Sequence, residues 1–480
     1  MKPPGAPEDA SSLRLNSRKL LRSGVVHNVI ALYGVQACTY ALPLLTFPYL
    51  ARVLGPSGWG VVVFAQAIGD VIASVVEYGF DISASRETSR HRHEPKRLSA
   101  LISGVLGAKF LLAVVCIAGA VFSRRFTHHI APSLALFWAS TIWGVCQGIN
   151  MLWYFQGLER MRLASLLEIG GKVLATLSIF VLVHKPSDGW KVMAAQCVGC
   201  VAAHGVTVVL AYREVGFQWP TLASVWNALR LGSSMFLFRA VQSISGSINR
   251  LVLGSVAPVA ALGEFAGAER MTRVFQQGMW PVNQALYPRL TKQMQDNPGQ
   301  AMKTVKFSLL LLGGLGLVFG LVMYFGAPFL VRFVLGPAFH ASVQVLRVFS
   351  LYIPLIAIST VIIFQVLLPN QLDNQFNFVN STAGVLGVVA AFLLAPRFQG
   401  VGIAWSAVCA QIYALIAFAF VLRRAGLNPF ALNTTAPVRA PSVSDLAAVS
   451  GLDHQEVPVE FLVSESEAVV QKPFVENGGS

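Results

Sequence analysis

Charge is what this sequence has least of: Asp, Glu, Lys and Arg make up 12% of its 480 residues, about half the share in an ordinary soluble domain. Acidic residues are the scarcer sign, 22 against 36 Lys and Arg. The bases lie mostly in short connectors between apolar segments and build no continuous basic face, which excludes nucleic acid as the partner and fits membrane orientation instead. Cysteine is also sparse. Cys38, Cys116, Cys146, Cys197, Cys200 and Cys409 all fall inside apolar segments, where they behave as small hydrophobes, so no disulfide framework is expected. Cys197 and Cys200 form a C-x-x-C, but no βαβ pattern and no second ligand pair accompany it, and no metal site is expected. Also lacking is any connector long enough to house a soluble catalytic domain.

What the sequence has is apolar length: 55% of its residues are hydrophobic. A window of about 20 residues predicts spans at 27–51, 59–80, 99–122, 131–154, 163–183 and 190–211, then at 229–252, 259–284, 304–326, 343–367, 375–395 and 400–422. The expected fold is therefore an all-α integral membrane protein of about twelve transmembrane helices. The basic N-terminal segment, with Arg14, Arg18, Lys19 and Arg22, leads into an apolar stretch too long for a signal peptide, so the first helix is expected to stay as an anchor.

The bases set the orientation. With the N-terminus in the cytoplasm, Arg86, Arg90, Arg92, Lys96, Arg97, Arg160, Arg162, Arg213, Arg289, Lys292, Lys303, Lys306, Arg423 and Arg424 all fall inside, so both termini are expected to be cytoplasmic. Residues 425–480 hold seven acidic and two basic side chains, which leaves 34 bases against 15 acids in the rest. That segment is rich in Ser, Val, Pro and Glu and reads as a disordered acidic cytoplasmic tail. The expected organisation is a cytoplasmic N-terminal segment (1–24), an N-terminal six-helix bundle (25–212), a cytoplasmic linker (213–228), a C-terminal six-helix bundle (229–424) and the tail (425–480). A faint repeat supports two halves. Arg52-Val-Leu-Gly followed by Gly58 and Gly60 is echoed by Arg250-Leu-Val-Leu-Gly followed by Gly263, and six helices per half would make the repeats parallel.

Ionisable groups within spans are costly unless they face a partner or a wet cavity, so they are the first functional candidates. In the second span Gln66, Asp70, Ser74 and Glu77 share one helix face at about 100° per residue. In the seventh, Arg239 and Arg250 lie only about 20° out of phase and about 16 Å apart along the axis. Gln242 falls near the same face. These two stripes suggest a central cavity between the halves, or else a simple pairing of Arg239 with Asp70 or Glu77. The excess of bases favours an anionic ligand, because guanidinium offers planar paired donors to phosphate oxygens. The candidate substrate ligands are Arg239, Arg250, Arg52, Gln242 and Lys172, although Lys172 is also placed to pair with Glu168 one turn earlier. Asp70, Glu77, Glu264 and Glu269 are the candidate cavity acids, with proton or sodium coupling left open and no other cofactor implied.

Residues 40–60, YALPLLTFPYLARVLGPSGWG, together with EYGFDISASRE at 77–87, QALYPRL at 284–290 and the Leu335-Gly336-Pro337 turn, resemble the O-antigen and polysaccharide repeat-unit flippases. The resemblance runs over roughly 25–422. It implies two six-helix bundles around a cationic cavity and alternating-access transfer of an undecaprenyl-pyrophosphate-linked oligosaccharide from the cytoplasmic to the periplasmic leaflet of a bacterial inner membrane. It further implies membrane lipid, a polysaccharide polymerase and chain-length machinery as partners. Multidrug exporters share the superfamily, so a cation antiporter with Asp70 and Glu77 at its centre is the alternative, and a membrane polymerase a third.

Overall fold

The computed structural model describes residues 24–127 and 133–427. The expected N-terminal segment and all but the first residues of the expected tail lie outside them. Described residues are helical almost throughout. α1 (Gly24–Glu77) covers the first two expected spans and is broken at a single residue, Gly55, with φ 67° and ψ 178°. Only glycine adopts that backbone without strain, and Pro56 starts the next segment where a missing N–H costs nothing. The gap between the expected spans at 27–51 and 59–80 narrows to that one residue. α12 (Asp373–Arg424) is likewise broken at Gln399, φ 49°, three residues after Pro396.

Between these lie α2 (Phe80–Arg90), α3 (Pro95–Thr127), α4 (Leu134–Gly148), α5 (Leu152–Gly157), α6 (Met161–Leu182), α7 (Gly189–Val215), α8 (Leu222–Val256), α9 (Val259–Asp296), α10 (Pro298–Val334) and α11 (Ser342–Ile362). α11 runs on into a π-turn at Ile363–Leu367. Two differences from the sequence expectation concern connectors. The stretch after Glu77 is a helix, α2, entered through Tyr78 and Gly79 at positive φ. It packs on α5, where a side chain on Gly157 would strike the Ser85 carbonyl and Thr88. The connector expected at 213–228 shrinks to 216–221, because α7 extends to Val215 and α8 starts at Leu222, N-capped by Thr221. Ser99 and Ser103 of α3 donate to the Gly216 and Gln218 carbonyls at 2.7 Å each and tie that connector down.

Among the described residues, seven helical stretches are long and apolar enough to cross a membrane. Phe110, Val181, Leu310, Phe325, Phe329 and Leu393 stand exposed on them, as a lipid-facing surface requires and a water-facing one does not tolerate. The chain is a multi-pass integral membrane protein. α8 and α9 are not among the seven, although α9 at 38 residues reaches about 57 Å, well beyond the roughly 30 Å of hydrocarbon. Both carry polar and charged side chains along their length, and they supply much of the site described next.

α1 and α9 meet at a reciprocal contact. A Cβ on Gly60 would strike the Val259 carbonyl, and one on Gly263 the Pro56 carbonyl. The two glycines of the faint repeat therefore let two backbones touch, one from each sequence half.

Candidate functional site

The sequence places polar side chains one turn apart on several helices, and the fold turns those faces toward a common cavity of about 450 Å³. α1 contributes Gln66 and Asp70, α6 Glu168 and Lys172, α7 Gln196 and His204, α8 Arg250. From α9 come Arg270, Arg273 and Gln277, which share a face at spacings of three and four. The other face of α9 opens onto a second cavity of about 430 Å³ through Glu269, Thr272 and Gln276, and Arg273 and Gln277 border both.

The charges form one network. Arg250 bridges two acids, with Nη1 at 3.6 Å from Asp70 Oδ2 and Nε at 3.1 Å from Glu269 Oε2. Arg273 Nη2 sits 2.6 Å from the other oxygen of Glu269, and Ser247 donates to Asp70 at 3.5 Å. Arg270 is held differently. Its Nη2 donates to Gln66 Oε1 at 3.1 Å, and its guanidinium lies 4.5 Å from the Trp59 ring centroid and 5.4 Å from that of Phe47. A desolvated contact of that kind contributes about 2 kcal/mol. Gln66 is itself steadied by Gln196, amide to amide at 3.3 Å. Among the described residues no carboxylate stands within ion-pair distance of Arg270. Three guanidiniums thus face two carboxylates, and the cluster is net positive at its α1–α9 side. Trp59 is fully buried, and its indole Nε1 has no hydrogen-bond partner among the described residues.

The residues singled out from sequence fall into several places. Asp70 and Arg250 meet in the cavity, and Lys172 borders it while donating to Glu168 at 2.7 Å. Glu269 lies between Arg250 and Arg273 on the second cavity. Glu264 is apart from both, its backbone carbonyl accepting from Ser342 at 2.8 Å. Arg52 donates to the Phe333 carbonyl of α10 and borders neither cavity. Glu77 ends α1 and borders neither cavity, and the fully buried Lys109 of α3 donates from Nζ to the Asn150 carbonyl at 3.1 Å. Arg239 and Gln242 belong to α8, but their side chains lie outside the described residues.

Sequence reasoning gave Arg270 and Arg273 too little weight. Their spacing with Gln277 was the available signal, but in a span rich in both signs it does not say which cation finds a carboxylate. The sequence also shows Cys200 only as the second cysteine of a C-x-x-C from which no metal site was expected. In the structure the neighbours of Cys200 are Cys146 of α4 and His204 of its own helix.

A protein-family model described as polysaccharide biosynthesis protein matches residues 25–294. Two relatives carry the description "Putative O-antigen transporter". One, from Escherichia coli (strain K12), is 28% identical over 394 residues, covering 81% of this chain and 94% of the relative. The other, from Shigella dysenteriae, is 23% identical and covers 80% and 96%. Among solved structures, the lipid II flippase MurJ in an inward closed conformation superposes with a TM-score of 0.62 at 11% identity, over 83% of this chain and 87% of that one. An inward-facing multidrug resistance transporter of the MATE family of the MOP superfamily gives 0.62 at 14% identity, over 83% and 98%. The helical architecture is thus one that transporters share.

Proposed function

The chain belongs to the polysaccharide biosynthesis protein family, and from that premise we propose that it is a flippase which moves an undecaprenyl-pyrophosphate-linked oligosaccharide from the cytoplasmic to the periplasmic leaflet. It works as a transporter and not as an enzyme. The observation that carries the proposal is the net-positive cluster on the cavity wall, above all Arg270, which is positioned by Trp59 and Gln66 and has no carboxylate beside it among the described residues. A diphosphate brings acceptor oxygens and negative charge together, and guanidinium matches both. At about 450 Å³ the cavity is in the size range of small-molecule sites, enough for the diphosphate and its first sugar while the prenyl chain stays in lipid.

In this reading Arg250 is a secondary contact, since Asp70 and Glu269 already compensate it, and Lys172 serves the sugar side. Arg239 and Gln242 extend the cationic stripe along α8. Asp70 and Glu269 hold the arginines apart and are the groups through which proton or sodium coupling would act. Two six-helix bundles rock about the cavity, with the Gly60–Gly263 contact as the seam that must part. The protein resides in the inner membrane with both termini in the cytoplasm, as the distribution of bases suggests, and hands its cargo to a polymerase with its chain-length machinery. Asp70 weakens the antiporter alternative, because an acid already shared between Arg250 and Ser247 is a poor open site for a small organic cation.

The test is complementation of a bacterial strain that lacks its own repeat-unit flippase. Arg270→Ala should abolish surface polysaccharide at unchanged membrane abundance, while Arg270→Lys restores part of it. Normal polysaccharide from the alanine variant would overturn the assignment of Arg270.

A further inference from the structure

Cys146, Cys200 and His204 stand together in a way the sequence spacing hides. Cys200 and His204 are one turn apart on α7 and both border the main cavity, while Cys146 comes from the last turn of α4. Their three ligand atoms, two Sγ and one imidazole nitrogen, lie within 4.8 Å of one another. Cys200 Sγ is 3.4 Å from His204 Nδ1. A tetrahedral zinc ion with bonds of about 2.3 Å to sulfur and about 2.0 Å to nitrogen would hold such atoms about 3.5 Å apart.

His204 Nδ1 is also 2.9 Å from the Cys146 carbonyl. One ring nitrogen carries either a proton or a lone pair, so it cannot donate to that carbonyl and accept from the Cys200 thiol at once. The carbonyl also accepts from the Ile149 N–H at 3.2 Å, a donor it shares with the Val145 carbonyl at 3.0 Å, so the imidazole can leave it without stranding it. Charge favours the same conclusion. A divalent ion held by two thiolates and a neutral imidazole is a neutral complex, which avoids the expense of a net charge at membrane depth.

From this geometry we infer that Cys146, Cys200 and His204 form a binding site for a thiophilic divalent metal ion, of the zinc and cobalt class, in the wall of the cavity. Binding joins α4 to α7. It converts two thiols to thiolates, so two protons leave for each ion bound, and the fourth coordination position is open to water from the cavity. The site needs no electron transfer.

The experiment uses the full chain in lipid nanodiscs with a non-thiol reductant, titrated with Co²⁺ and then competed with Zn²⁺. One equivalent of Co²⁺ should give thiolate-to-cobalt charge-transfer absorption, accompanied by release of two protons. Cys146→Ser, Cys200→Ser and His204→Gln should each weaken binding by at least about tenfold, a loss seen even for partners outside the ligand shell. Cys197→Ser should bind as the parent chain does. Absence of the band in the parent chain, binding without proton release, or equal loss in Cys197→Ser would overturn the inference. The parent-chain band and proton count need no variant to fold. None of these readouts involves transport, so they stand or fall apart from the flippase proposal.

Discussion

Glu269 is gripped by two arginines, and distance and burial disagree about which matters more. Arg273 is nearer, 2.6 Å against 3.1 Å for Arg250. Yet the Arg250 and Glu269 side chains are only 14% and 16% exposed, whereas Arg273 is 40% exposed. An intrahelical i,i+4 pair with an open cation is screened and worth about 0.3–0.5 kcal/mol. Removing one partner of an enclosed pair leaves an uncompensated charge and costs about 3–5 kcal/mol. Glu269→Gln strips Arg250 of its nearer acid and leaves it Asp70 at 3.6 Å, so the loss should approach the lower figure, about 3 kcal/mol. Arg273→Gln should cost under about 1 kcal/mol. Thermal unfolding of the purified protein in nanodiscs, followed by tryptophan fluorescence, ranks the variants, and a double-mutant cycle isolates the couplings. The Arg250–Glu269 coupling should exceed the Arg273–Glu269 coupling several-fold. An Arg273→Gln variant as unstable as Glu269→Gln would refute the argument that burial outweighs distance here.

The seam between α1 and α9 should resist any side chain. Gly263→Val is expected to destabilise by about 1–3 kcal/mol as overpacking does, visible as a lower melting temperature; an unchanged melting curve would mean the backbones are not in contact. Glu94 lies in the connector before α3 and outside the spans. Its carboxyl is held below the usual glutamate range, first by the hydrogen bond to His91 and then by Arg97. A depressed folded value means that its stabilising effect is present above the ordinary carboxylate range and is lost as pH falls from there through the depressed folded value. Glu94→Gln should therefore flatten the acid limb of a melting-temperature profile slightly, and an unchanged limb would contradict this.

Much of the helical layout was legible because apolar length is a direct physical requirement of spanning hydrocarbon. The break at Gly55 was visible in Gly-Pro-Ser-Gly, whereas that at Gln399 was not, since a non-glycine residue at positive φ leaves little trace in sequence. α2 was missed for the converse of the reason that α1 was found. A search for apolar length passes over a helix carrying Asp81, Arg86, Glu87 and Arg90. In the site, the shared face of Gln66 and Asp70 followed from helical period alone. Their partners did not, because Arg250 and Arg270 come from the other half of the sequence, and no local spacing reports a long-range pair. The C-x-x-C pattern drew attention to Cys197, while the contact that counts is with His204, one turn on, and with α4.

The central claim is transfer of a lipid-linked glycan across a bilayer, and reconstitution tests it most directly. Proteoliposomes holding the purified chain and labelled undecaprenyl-pyrophosphate oligosaccharide in the inner leaflet would be probed with an external glycosidase. The account predicts time-dependent exposure of the inner-leaflet glycan with the parent chain and little with Arg270→Ala. Exposure no faster than in protein-free liposomes, under every ion gradient applied, would contradict it.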